Sequence, residues 1–122
     1  MPLTFNTPAR RLRRALAAPA LLLAAGLCAS AAAHAADEAA QMALGKKLFT
    51  TATPACALCH TLKDAGTEGA VGPVLDELQP DAARVAKALR DGLGAMPSFK
   101  ATLSEEQIAA LALYVSKASR LP

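Results

Sequence analysis

The chain has 122 residues, a length for one domain rather than two. Apolar residues make up 53 % of it, which excludes a disordered charged tail. Thirteen Lys and Arg against ten Asp and Glu give a formal charge of +3, but four of those cations stand within Arg10–Arg14, so the charge is unevenly spread.

The amino-terminal third has the order of an export signal. The basic cluster Arg10-Arg11-Leu12-Arg13-Arg14 is followed by an apolar run, Ala15 to Leu27, and then by the small residues Ala29 to Ala35 around His34. Basic, apolar and small-residue regions in that sequence define a secretory signal peptide. The apolar run is 13 residues, whereas a membrane span needs about 20. Cleavage is expected after Ala35, with Ala33 as the alternative, giving a signal peptide over 1–35 and a domain over 36–122. Cys28 is preceded by Leu27 where a lipoprotein site wants a small residue, and the twin-arginine route that the Arg pairs could signal is disfavoured, because it carries folded proteins whereas the site described below is normally assembled after export. The expected location is periplasmic, with no stable membrane insertion after cleavage.

Removing residues 1–35 leaves 87 residues, with nine cations against ten acids and a charge of −1. The excess of positive charge belongs to the leader, so no nucleic-acid signal survives in the domain. Trp is absent, and Phe and Tyr total four in the whole chain. A core must therefore come from Ala, Leu, Val and Met, or form around a group the chain does not encode. At this size a domain buries about 60–65 % of its unfolded surface, which is marginal without a staple or cofactor.

Three stretches have helical spacing. The first, about Asp37 to Thr51, carries Ala40, Leu44, Leu48 and Phe49 behind acidic Asp37 and Glu38. The second, about Asp81 to Asp91, carries Ala82, Val85, Ala86 and Leu89, with Asp81 as cap and Gly92 as stop. The third, Ser104 to about Ala118, opens on a capping box of Ser104 and Gln107, with Leu103 and Ile108 as its staple. No segment alternates over a strand's length. The expectation is an all-α fold of three main helices, joined by long Gly- and Pro-rich loops over 53–79 and 92–103. Loops of that length in so small a domain are expected to wrap something.

Cys56-Ala57-Leu58-Cys59-His60 names it. Cys-x-x-Cys-His is the attachment signature of haem c. Two thiols three positions apart reach the two vinyl groups of one porphyrin, and the adjacent His ligates the iron. Zinc would need four ligands, and the domain offers two Cys and one His in a single pentapeptide. A thioredoxin-like pair wants a βαβ setting that the sequence lacks. A plain disulfide is allowed in the periplasm but leaves His60 and the loops unexplained.

For the sixth ligand, His60 is the domain's single histidine, and Met42 and Met96 are its thioethers. Met42 lies inside the first helix. Met96 lies in Gly92-Leu93-Gly94-Ala95-Met96-Pro97-Ser98-Phe99, where glycines let the backbone approach a ring and Pro97 stiffens the turn. Met96 is thus the expected partner of His60, a His/Met pair favouring a raised potential. Lys100 is the alternative, although its amine must first lose a proton. Leu48, Phe49, Leu58, Leu62, Leu75, Leu78, Val85, Leu89, Leu93 and Phe99 are candidates for the apolar shell.

From Leu44 to Val115 the chain resembles the class I monohaem c-type cytochromes, most specifically in Cys56–His60 followed by Met96-Pro97. The resemblance implies a small cytochrome c fold wrapped around one haem held through Cys56 and Cys59, with His60 and Met96 on iron. It implies that Gly45 and Phe49 meet Leu111 and Tyr114 on the last helix. It also implies that Pro73, in Gly72-Pro73, offers its carbonyl to His60. The runs Ala52–Gly66 and Gly72–Leu78 resemble cytochromes that serve periplasmic molybdenum sulfite dehydrogenases. The resemblance therefore implies a periplasmic one-electron carrier rather than an enzyme. It would take electrons from such a dehydrogenase and pass them to another cytochrome or a terminal oxidase. A peroxidase or gas sensor with an exchangeable sixth ligand, a haem subunit of a larger dehydrogenase, and a general shuttle unrelated to sulfite are the alternatives. Lys46, Lys47, Lys63, Lys87, Arg90 and Lys100 form a basic patch or, as favoured, a solvated surface.

Overall fold

Alanine and leucine, strong helix formers, fill the chain from Ala18 onward. In the computed structural model, which describes the backbone of residues 18–122 and the side chains of 33–122, helix α1 accordingly runs Ala18–Thr51. The sequence pattern predicts a start near Asp37. The small-residue run where cleavage is expected is no obstacle to helix, so the earlier start follows from propensity. The arginine cluster of the expected leader lies outside the described residues, as does the side chain of Cys28. No described helix is long and apolar enough to cross a membrane.

By its contacts the chain divides into residues 1–36 and 37–122. The described part of the first unit is helical.

The second unit contains the core. α1 ends where Pro54 disfavours helix at the residue before it, and Thr50 and Thr51 turn their hydroxyls back onto the Lys47 carbonyl. A 3-10 turn over Cys56–Leu58 follows. Strand β1, Thr61–Leu62, then pairs antiparallel with β2, Thr67–Glu68, in the register Thr61↔Glu68 and Leu62↔Thr67. Between them a 3-10 turn, Lys63–Ala65, closes on Gly66 at φ +63°. A single-turn helix α2, Leu75–Leu78, packs on β1. α3 spans Ala82–Asp91 and α4 spans Glu105–Ala118.

The fold is mostly helical, with three long helices as the sequence predicts. The ribbon and α2 are additions that no periodicity announces. Both expected caps are made. Asp81 accepts from the Arg84 N–H at 2.8 Å, and Ser104 and Gln107 exchange bonds of 2.9 and 3.2 Å as a full capping box.

α3 packs mainly against α4. α4 buries Ile108, Leu111, Tyr114 and Val115, which meet Leu48 and Phe49 of α1, Leu62 of β1, Leu75 of α2, and Leu89 and Phe99 in one core. α1 crosses α4 at Gly45, where an added Cβ would stand 2.3 Å from the Ala110 carbonyl oxygen and 2.5 Å from Tyr114 Cβ. Phe49 meets Tyr114 edge-on, with centroids 6.1 Å apart and planes at 67°.

Candidate haem-attachment site

The attachment turn is set by its own backbone. The N–H groups of Cys59 and His60 both donate to the Cys56 carbonyl, at 3.1 and 2.9 Å. This tight turn gathers two unpaired thiols and the imidazole into one short segment. Burial pushes the Cys56 thiol up to about 11, so it is neutral at ordinary pH. Among the described residues, no group of three or more His, Cys, Asp and Glu side chains is placed to hold a metal ion.

The loop after β2 closes over this turn. Gly69 presses on it so closely that a Cβ would lie 2.5 Å from the Cys59 carbonyl carbon and the His60 nitrogen. The Val71 and Gly72 N–H groups donate to the Cys59 carbonyl at 3.1 and 2.7 Å. His60 Nδ1 then lies 2.9 Å from the Pro73 carbonyl oxygen. A carbonyl can only accept, so the proton is on Nδ1 and the Nε2 lone pair is left for a ligand. Among the described hydrogen bonds Nε2 has no partner. Thr67 ties the ribbon to the same histidine: its hydroxyl donates to the His60 carbonyl at 3.0 Å and accepts from the Leu62 N–H at 3.1 Å. Sequence reasoning missed Thr67, and a lone threonine in a polar stretch carries no signal that would have found it.

Met96 lies on the separate loop between α3 and α4. It is half-buried and packs against the core that also receives Cys56 and Ala57. The structure thus holds Cys56, Cys59 and His60 in one turn, sets the Pro73 carbonyl on His60, and packs Met96 against the same core from another loop. Met42 also packs on that core, from within α1. The apolar residues expected around the cofactor divide. Leu48, Phe49, Leu62, Leu75, Leu89 and Phe99 are core, whereas Leu58 in the attachment turn and Leu93 in the Met96 turn are each 68 % exposed, and Leu78 is exposed as well. Apolar side chains turned outward beside both sets of donors give a flat apolar group something to lie against. Together with a free Nε2 and two unpaired thiols, these residues fit a covalently attached haem. Three of the cations considered as a basic patch are paired: Lys46 with Asp64, Lys87 with Asp91 and Arg90 with Glu105.

Over residues 40–115 the chain matches the protein-family model described as cytochrome c oxidase, cbb3-type, subunit III. The chain belongs to this family of c-type cytochromes. The cytochrome is also similar to the crystal structure of the c-type cytochrome SorU from Sinorhizobium meliloti, with 51 % identity and a TM-score of 0.63 over 65 % of this chain and 91 % of that one. Among curated proteins none matches it. Its cofactor is haem c, and its role is that of an electron carrier.

Proposed function

We propose that the cytochrome is exported, loses residues 1–35 and carries single electrons in the periplasm, with Cys56 and Cys59 holding the haem and His60 and Met96 as axial ligands. The carrying observation is the Pro73 carbonyl 2.9 Å from His60 Nδ1. It fixes the tautomer, aims Nε2 and strengthens the imidazole as a donor. When bound, the haem supplies a reversible Fe(III)/Fe(II) couple. A Met96 thioether on the iron together with His60 would favour the reduced state and a raised potential. With His60 and Met96 both holding the iron, oxidation and reduction would need no substrate pocket and little rearrangement.

The favoured donor is a periplasmic molybdenum sulfite dehydrogenase, and the acceptor is another cytochrome or a terminal oxidase. The run Ala52–Gly66 with Gly72–Leu78 supports this donor, because it is the segment that resembles cytochromes serving such enzymes. The test mixes the oxidised cytochrome with sulfite, with and without a molybdenum sulfite dehydrogenase. Fast haem reduction only in the complete mixture is expected. No reduction by that mixture, with prompt reduction by a different periplasmic dehydrogenase, would overturn the sulfite assignment.

A further inference from the structure

The last carbonyls of an α-helix lack donors within the helix. At the end of α3 those donors come from the loop that carries Met96. The Gly92 N–H donates to the Ala88 carbonyl at 2.8 Å, and the Phe99 N–H donates to the Leu89 carbonyl at 2.7 Å. The Ser98 hydroxyl donates to the Arg90 carbonyl at 2.5 Å.

Between these fastenings the chain makes a tight turn. Leu93 and Met96 exchange two backbone hydrogen bonds of 3.0 Å. Gly94 supplies φ +58° and Gly92 φ +74°, conformations that favour glycine. A Cβ on Gly92 would also stand 2.8 Å from the Met96 carbonyl oxygen. The helix ends that the loop spans are joined by Arg90, whose Nε and Nη2 donate to Glu105 at 2.9 and 2.6 Å.

The two limbs of the turn are held differently. The incoming limb is continuous with α3 at Gly92. The outgoing limb has only Pro97 and Ser98 between Met96 and Phe99, which is 3 % exposed and anchored in the core. Pro97 has no N–H to offer. Ser98 is therefore the fastening nearest Met96 on that limb, and the one made by a side chain.

We propose that Ser98 is a positioning residue for Met96. Its bond to the Arg90 carbonyl holds the outgoing limb against the end of α3 and sets how readily the thioether is displaced from iron. The proposal rests on the reading of Met96 as a ligand. For the thioether to leave, the turn swings outward, which breaks the Ser98 bond while Phe99 stays in the core. Loss of the hydroxyl therefore eases displacement without loosening the fold to the same degree.

The test uses the ferric holoprotein and imidazole as the displacing ligand, followed by loss of the iron–sulfur charge-transfer absorbance. Unfolding in denaturant is measured alongside. Ser98→Ala is expected to speed displacement about fivefold, the worth of one ordinary hydrogen bond. Ser98→Thr keeps the hydroxyl and restores the wild-type rate. An Ala variant displaced at the wild-type rate overturns the proposal. So does a faster rate matched by an equal loss of global stability. If the wild-type protein never shows the absorbance, the ligation reading itself fails, and the proposal falls with it.

Discussion

Gly72 lies flat against the imidazole of His60, so that an added Cβ would stand 2.4 Å from Cε1 and 2.8 Å from Nδ1. The next residue, Pro73, accepts the Nδ1 proton at 2.9 Å. One dipeptide thus fixes both the plane of the ring and its tautomer. Gly72→Ala must push the ring away or shift the loop, and overpacking of this kind costs about 1–3 kcal/mol. A lower denaturation midpoint together with a changed reduction potential is expected. An unchanged potential would show that the Gly72 contact does not set the orientation of His60.

The crossing of α1 and α4 at Gly45 makes a second demand for glycine. A Cβ there meets the Ala110 backbone rather than a movable side-chain end, so neither helix yields cheaply. Gly45→Ala is expected to destabilise the protein by about 2–3 kcal/mol, the upper end of overpacking costs, with the visible spectrum of the native state retained. Denaturant unfolding checks the first part and absorbance the second. A variant of wild-type stability would mean that the helices separate without cost.

Tyr114 predicts a pH dependence at both extremes. Its hydroxyl donates to Asp64 at 2.7 Å, and Lys46 lies 3.0 Å from the same carboxylate oxygen. These partners, Tyr114 first, hold the Asp64 carboxyl below its usual range. That stabilisation is present above the unfolded carboxylate value of about 4 and is lost as pH falls through the lower folded value. Burial first, and Asp64 second, push the Tyr114 phenol well above its usual range. Its contribution is present below about pH 10, the unfolded phenol value, and is lost as pH rises towards the folded one. Tyr114→Phe removes the alkaline dependence and weakens the acid one. Unfolding midpoints across the pH range test this, and a Phe variant with the wild-type profile would rule the pair out as its source.

Much of this was legible because its signals are local. Asp81 caps α3, Gly92 stops it, and Ser104 with Gln107 opens α4, each within a few residues of the element it defines. Cys56–His60 is legible for the same reason. The ribbon was not, because Thr67 builds it through side-chain bonds to the backbone of Leu62 and His60 that leave no period in the sequence. The Asp64–Tyr114 bond spans 50 residues, and a tertiary contact of that reach has no local trace. The apolar shell was read as a single set, yet Leu62 is fully buried while Leu58 and Leu93 face outward. Composition cannot distinguish those positions; only their places in the two turns do.

Met96 as the partner of His60 is tested most directly by the ferric absorption spectrum of the wild-type and Met96→Ala holoproteins, with reduction potentials taken on the same samples. The wild-type protein is expected to show the iron–sulfur charge-transfer absorbance, and the Ala variant to lose it and fall in potential while keeping its covalently attached haem. Persistence of that absorbance in the Ala variant would place another sulfur, that of Met42, on the iron and contradict the assignment.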